Sequence, residues 1–255
     1  MLIDHLTKRT ELGDPAYMDN ITTFEEKLIS PAYINQVISK ISDQYTLPVE
    51  AYDPNGFESI ETPGTSHINT ADAAGLTVSL TSTINLWLGS TLMVPETGII
   101  MNNEMNDFSI PGASNAFGYI PSPANFIKPG KRPLSSMAPV IVEFLSNSTL
   151  YCAIGGAGGS HIITAVIQGL WNILDRRMNL YSALNIARFH DQLVPNELEL
   201  DYRYNNQTAA FLEALGHNVT YSIRSADLHA IRRLPNGTFE AVGEPNFAPA
   251  AGYAI

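Results

Sequence analysis

The 255 residues, 45% of them hydrophobic and only 15% charged, are enough to bury the core of one large domain or two small ones. A net charge of −11 argues against nucleic acid and anionic membrane surfaces, both of which reward basic proteins. No run of about eighteen apolar residues codes a membrane span, and the single cysteine, Cys152, excludes an internal disulfide and sits among apolar neighbours as a buried thiol would.

In chain order, Phe24 to Asp43 has the spacing of a surface helix, with Leu28, Ile34, Val37, Ile38 and Ile41 on or near one face and Pro31 in the first turn of its second half. Leu47 to Gly64 loses all periodicity and gathers Pro48, Pro54, Gly56, Pro63 and Gly64, which is a loop by composition. Two short strands follow, broken by Asp72-Ala73-Ala74-Gly75 as a hairpin loop. If Asp72 faces Leu76, constant-sum counting puts His67 opposite Thr81 and Thr65 opposite Thr83. One face of the ribbon then carries Thr65, His67, Asn69, Ser79, Thr81, Thr83 and Asn85, and the other Ile68, Leu76, Val78, Leu80 and Ile84. A half-buried pair ordinarily turns its polar face to water.

Ser109 to Lys131 is loop-rich. Ala138 to Leu145 and Thr149 to Ile154 read as adjacent buried strands joined by Ser146-Asn147-Ser148. The run Gly155-Gly156-Ala157-Gly158-Gly159 opens a helix from Ser160 to about Asp175, with a second from about Leu180 to Phe189. After Pro195 come a strand (ELELDYRY), a helix from Asn206 to Leu215, and strands near Val219–Ile223, Leu228–Arg233 and Phe239–Val242. Strands, two helices, then strands is the order of an α+β fold with stacked sheets and helices on an outer face. Met1-Leu2-Ile3-Asp4-His5 lacks the basic start and apolar run of a secretory signal, whereas acceptor sequons at Asn20, Asn147, Asn206, Asn218 and Asn236 lean toward the secretory pathway.

Five segments in order carry a resemblance: Thr65-Ser66-His67, Thr81-Ser82-Thr83-Ile84-Asn85, Asn102-Asn103-Glu104-Met105-Asn106-Asp107-Phe108, Lys131-Arg132-Pro133-Leu134-Ser135-Ser136-Met137 and Gly158-Gly159-Ser160. Together they resemble the γ-glutamyltranspeptidases, of the N-terminal-nucleophile hydrolase superfamily, and Arg9 to Tyr17 resembles that family's R-x-x-L-G-D-P segment. The resemblance covers nearly the whole chain and implies a four-layer αββα sandwich. It also implies a precursor that cuts itself between Gly64 and Thr65. Residues 1–64 are then the tail of a large subunit plus the pre-cleavage loop, and residues 65–255 the small catalytic subunit. On this reading the chain is a fragment or a truncated gene product. The missing part of the large subunit would bring the signal or anchor, and with it an extracellular, membrane-anchored or vacuolar place, as well as an arginine for the donor carboxylate.

The chemistry is consistent with that resemblance. A threonine hydroxyl needs a base within hydrogen-bond reach. Scission before Thr65 frees an α-amine whose pKa of about 8 suits proton transfer in both directions. The uncut chain, with an amide there, should be inactive as an amidase. Thr83 either orients that nucleophile or is an ordinary cross-strand Thr–Thr pair, and His67 reads as a structural histidine. The Gly158 and Gly159 amides, at a helix N-terminus, suit an oxyanion; a plain tight turn is the alternative.

Asn85, Glu104 and Asp107 would take the α-ammonium of a γ-glutamyl donor and Ser135 and Ser136 its α-carboxylate, as the family's matching positions do; two acids three apart in a loop are otherwise merely solvated. The resemblance implies no metal and no cofactor. Its partners are glutathione or another γ-glutamyl donor, water or an amino-acid or dipeptide acceptor, and the large subunit. A related amidase acting on another acyl group, such as a cephalosporin-type side chain, and an inert fragment that only packs against a large subunit are the competing readings.

Overall fold

The computed structural model describes residues 7–52, 55–56, 64–112, 121–223, 226–246 and 250–254. In chain order the elements are α1 (Ile21–Leu28), α2 (Pro31–Ile38), the single turn α3 (Val49–Tyr52), β1 (Thr65–Ala71), β2 (Thr77–Thr83), β3 (Met93–Val94), β4 (Ile99–Ile100), β5 (Val140–Glu143) and β6 (Leu150–Ala157). They continue with α4 (His161–Leu174), α5 (Leu180–Asn185), β7 (Phe189–His190), β8 (Leu198–Asp201), α6 (Asn206–Ala214), β9 (Val219–Ser222), β10 (Asp227–Arg233) and β11 (Phe239–Val242). Among the described residues no helix is long and apolar enough to cross a membrane.

The helix expected over Phe24 to Asp43 is two helices. The Ser30 hydroxyl accepts the Tyr33 amide at 3.2 Å as an N-cap, and Pro31 takes the first helical position, where its missing N–H has no bond to lose. A proline cannot donate back into the preceding turn, so α1 ends and α2 starts afresh. Of the expected apolar stripe Val37 is buried, whereas Ile34, Ile38 and Ile41 are exposed. In the stretch read as a loop, Leu47 to Gly64, α3 forms one turn and residues 53–54 and 57–63 lie outside the described residues.

Two compact units share the chain. The first takes Met1–Ile60, Glu104–Ser135 and Asp191–Ser222. Here β8 and β9 pair in parallel through the crossover helix α6. Asp14 caps the short 3-10 turn Pro15–Tyr17 and accepts from Arg132, whose main-chain N and Nη2 both lie 2.8 Å away, so the R-x-x-L-G-D-P segment is stapled to the K-R-P-L-S-S segment. Gly13 stands so close to the Pro123–Asn125 turn that a Cβ would lie 2.2 Å from the Ala124 carbonyl oxygen.

The second unit takes Glu61–Asn103, Ser136–His190 and Ile223–Ile255. Its sheet has the order β11-β10-β6-β5 with every pair antiparallel. Cys152, Ile154, Leu228 and Ala230 point from it into a core shared with Ile162, Val166, Ile173, Leu180 and Leu184 of α4 and α5. Burial pushes the Cys152 thiol up to about 11, as befits a structural cysteine. Ala153 and Ile231, on the opposite face, pack against Ala71 of the β1–β2 hairpin. Helices, sheet and hairpin thus stack in the order α, β, β, which is the α+β layering the sequence leads one to expect.

Three boundaries differ from expectation. The helix expected to run to Phe189 ends at Asn185, and Phe189–His190 is a strand. Arg188, between them, is buried, donating to the Leu184 and Ala226 carbonyls and, at 2.8 Å, to Glu244. Strand β6 runs past the expected end at Ile154 through Gly155 and Gly156 to Ala157, so only Gly158 and Gly159 of the glycine run lead into the helix. A Cβ on Gly155 would lie 2.2 Å from the His67 ring, and one on Gly156 would lie 2.8 Å from the Asp227 carbonyl oxygen. These glycines serve close packing between layers rather than a turn. The predicted strand ELELDYRY is paired only over β8, since Tyr202 to Asn205 turn into α6.

Candidate active site

The hairpin has the register that the constant-sum rule demands: Thr65 faces Thr83, His67 faces Thr81, and the Asp72 amide bonds the Leu76 carbonyl at 3.0 Å. Its polar face, however, points inward. His67 is 7% exposed while Ile68, Val78 and Leu80 on the other face are 54%, 48% and 53% exposed, the reverse of the usual alternation. The buried His67 ring is satisfied, as burial requires. The His67 ring meets Thr81 Oγ1 at 2.9 Å and Asn69 Oδ1 at 3.2 Å, and Asn69 donates to the His229 carbonyl at 2.8 Å. Burial lowers the His67 pKa, which keeps the ring neutral and structural as its position suggested.

At the head of this face the Thr65 hydroxyl lies 3.2 Å from the Thr83 hydroxyl. Thr83 Oγ1 also accepts the Asn85 amide at 2.8 Å and donates to the Gly64 carbonyl at 3.0 Å. The Thr–Thr pair is therefore part of a network around the Gly64–Thr65 peptide and not an isolated cross-strand contact. Asn85 is fully buried at φ +73°, a left-handed conformation asparagine tolerates, and turns the chain away after β2. Asn103 holds that turn from outside: its side-chain oxygen accepts the Leu86 amide at 3.1 Å and its own amide reaches the Ile84 carbonyl at 3.3 Å. In the sequence Asn103 stands beside the acids of the N-N-E-M-x-D-F segment, and that position is the one local sign of this role.

In the same unit Gly158 (φ +136°) and Gly159 (φ +61°) connect β6 to α4 in backbone conformations that favour glycine. Neither amide donates a hydrogen bond among the described residues. Ser160, next in line, is buried, and Ser136 is also buried in this unit.

The remaining predicted site residues, Glu104, Asp107 and Ser135, belong to the first unit. Glu104 to Asp107 form one 3-10 turn, so both acids are brought together. Asp107 is buried, and its carbonyl accepts Asn125 Nδ2 at 2.6 Å. Burial first, then the neighbouring Glu104, push its carboxyl up to about 7, while the charge of Arg9 and a hydrogen bond from the Ser135 hydroxyl pull it back. Arg9 and Asn125 were not singled out from the sequence as site residues; Arg9 lay in a recognised segment, but nothing local ties a residue near the start of the chain to an acid a hundred residues on.

A strand-initial threonine on the inner face of a hairpin, stacked on a sheet backed by helices, is the arrangement of an N-terminal-nucleophile hydrolase. The chain belongs to the gamma-glutamyltranspeptidase family, whose pattern it matches over residues 5–253. It is 52% identical over 248 residues to a glutathione hydrolase proenzyme of Arthroderma benhamiae, a match that covers 97% of this chain and 42% of that protein. The chain thus spans less than half the length of this relative. It is similar to a solved threonine-to-alanine variant of Helicobacter pylori gamma-glutamyltranspeptidase, at 37% identity and a TM-score of 0.66, over 71% of this chain and 100% of that one. A cephalosporin acylase from Bacillus halodurans shares the fold, with a TM-score of 0.75 at 21% identity, over 100% of this chain and 43% of that one.

Proposed function

We propose that this chain carries the catalytic part of a γ-glutamyltransferase or glutathione hydrolase. Scission of the Gly64–Thr65 bond divides it into residues 1–64 and a catalytic piece, 65–255. The Thr65 hydroxyl then attacks the γ-amide carbon of glutathione or another γ-glutamyl donor. The freed α-amine of Thr65 takes the hydroxyl proton and hands it to the leaving amine, and water or an amino-acid or dipeptide acceptor removes the glutamyl group from the resulting ester. Thr83 orients the nucleophile, and the Gly158 and Gly159 amides hold the oxyanion of the tetrahedral intermediate.

Asn85, Glu104 and Asp107 take the donor's α-ammonium, and Ser135 and Ser136 its α-carboxylate, with an arginine from the remainder of the large subunit completing that end. The observation that carries this reading is the 3.2 Å contact between Thr65 and Thr83 at the scission point. The relatives' names, glutathione hydrolase among them, support the choice of donor.

Intact mass of the purified gene product, followed with release of p-nitroaniline from its γ-glutamyl derivative, tests the reading. The expected outcome is a chain beginning at Thr65 together with turnover, and loss of both to background in Thr65→Ala. An uncut chain with full turnover would remove Thr65 as the nucleophile. A cut chain that ignores γ-glutamyl donors but deacylates a cephalosporin-type amide would replace the substrate.

A further inference from the structure

We propose that Asn147 is a glycosylation site, and that the first sugar on it lies against the ring of Phe144 and stabilises the β5–β6 hairpin. The proposal does not depend on the catalytic reading above; it selects among the sequons by the structure around each.

All five acceptor triplets fall within the described residues, and all five asparagines are exposed. Three of them sit in regular structure. Asn20 heads α1 and Asn206 opens α6, so the threonine of each triplet lies inside a helix. Asn218 Nδ2 is engaged with the Asn196 carbonyl at 3.4 Å, and its Thr220 belongs to β9. Asn147 and Asn236 stand instead in hairpin turns. The Oδ1 of each accepts from the threonine two residues on, through amide and hydroxyl, at 3.2 and 2.8 Å for Thr149 and at 3.1 and 2.7 Å for Thr238. Neither Nδ2 bonds a partner among the described residues, so both are open to carry a sugar.

Only the first of these turns offers that sugar a surface. The pairing of Glu143 with Leu150 continues one step further, because the Phe144 amide bonds the Thr149 carbonyl at 2.9 Å. Phe144 and Thr149 are therefore cross-strand partners on one face of the hairpin, and Thr149 ties the Asn147 side chain to that face. Tyr151 braces the Phe144 ring edge-on, with centroids 5.2 Å apart at 88°, and leaves Phe144 45% exposed. Beside the ring is a cavity of about 570 Å³, lined also by Thr149, Tyr151, Arg233 and Pro235, in the size range that takes small molecules. A pyranose presents a face of C–H bonds, whose hydrogens are drawn to the negative face of an aromatic ring. At Asn236 the residue three places before the acceptor is Arg233, and the turn over residues 234–238 contains no ring.

The donor is a lipid-linked oligosaccharide diphosphate. Asn147 Nδ2 bonds to the anomeric carbon of the first sugar, and the bond from that carbon to the diphosphate oxygen breaks, its electron pair leaving with the diphosphate. One Nδ2 proton passes to a base of the transferase. The product is an uncharged, bulky substituent on an exposed turn.

The test uses protein purified from its own cells. Amidase release of glycans in heavy-oxygen water turns each occupied asparagine into a labelled aspartate, and peptide mapping should find the label at Asn147. With glycans trimmed to the first sugar, Phe144→Leu should lower Tm by about 2–4 °C more than the same substitution does after complete release. Phe144→Tyr, which keeps the ring, should behave as the parent. If the leucine variant does not fold, the parent alone suffices, since its Tm should fall by a similar amount between the trimmed and the fully released forms. An unlabelled Asn147, whether or not another sequon is occupied, overturns the proposal. A Phe144→Leu effect of equal size with and without the sugar, or a parent Tm indifferent to its removal, overturns the placement of the sugar on the ring.

Discussion

Asp107 is the residue whose environment makes the sharpest demand. A carboxyl held near pH 7 by burial and by Glu104 is largely protonated in mildly acidic solution. If it receives an α-ammonium, that cation must displace the proton, so donor affinity depends on ionisation. KM for a γ-glutamyl donor should therefore rise roughly tenfold per pH unit as pH falls below the titration. Titration of the Thr65 amine would show in kcat instead, and Asp107→Asn should raise KM at pH 8 and erase its slope. The same group sets a stability effect of definite sign. Its folded pKa lies above its unfolded one, so the favourable contribution of the neutral form is present at low pH and is lost as pH rises through about 7. The asparagine variant, which cannot ionise, should gain in Tm over the parent at pH 8 and show little gain below about pH 4, where the carboxyl is protonated in folded and unfolded chains alike. A wild-type KM without pH dependence between 6 and 8 would remove Asp107 from the donor site.

The hairpin shows at the scale of an element how much the sequence discloses and where local reasoning stops. Register was legible because it follows from one loop and a fixed sum, and with it came the Thr65–Thr83 pairing on which the site depends. Which face turns inward was not legible. Alternation separates two faces, but the choice between them is made by the partner surface, here Ala153 and Gly155 of β6, more than eighty residues away from β1 in sequence. The same non-local cause explains why β6 outruns its expected end at Ile154, since its last glycines leave room for an imidazole that local sequence does not announce. The break at Pro31 has a local cause instead: the proline does sit in a first helical turn, as its position predicts, but Ser30 caps that turn and makes it the start of a separate helix. Gly155→Ala tests the packing account. Its methyl meets the His67 ring at 2.2 Å, an overpacking expected to cost about 1–3 kcal/mol in urea unfolding. Removing the ring as well, in Gly155→Ala with His67→Ala, should cost less than the sum of the two single changes. Strict additivity would mean that the ring and the glycine do not depend on each other.

At the scale of the whole molecule, both units are assembled from three separated stretches of chain, so the proposed scission after residue 64 would cut a connection and leave the packing within each unit in place. In the first unit, the stretch Met1–Ile60 is held to the other two stretches by contacts that owe nothing to the Gly64–Thr65 peptide bond. The Tyr17 hydroxyl donates to the Pro129 carbonyl at 2.6 Å, Ser122 donates to the Thr10 carbonyl at 2.6 Å, and the Thr46 amide reaches the Leu215 carbonyl at 2.9 Å. The strongest staple is Asp14, which accepts from Arg132 through the main-chain amide, Nε and Nη2. Arg132 holds the Asp14 carboxyl well below the usual carboxylate range. With its folded pKa depressed, Asp14 contributes stability that is present above the ordinary carboxylate range and is lost only as pH falls below it. The N-terminal piece should therefore remain bound after scission at neutral pH and leave only in acid. Asp14→Ala, which also strands the Ala16 amide that the carboxylate caps, should shed the piece at pH 7. Native mass spectrometry of the cut material reads this directly: the parent should show both pieces in one complex at pH 7, and the variant a growing share of residues 65–255 alone. Equal retention in both would mean that the backbone contacts suffice and the ion pair is dispensable.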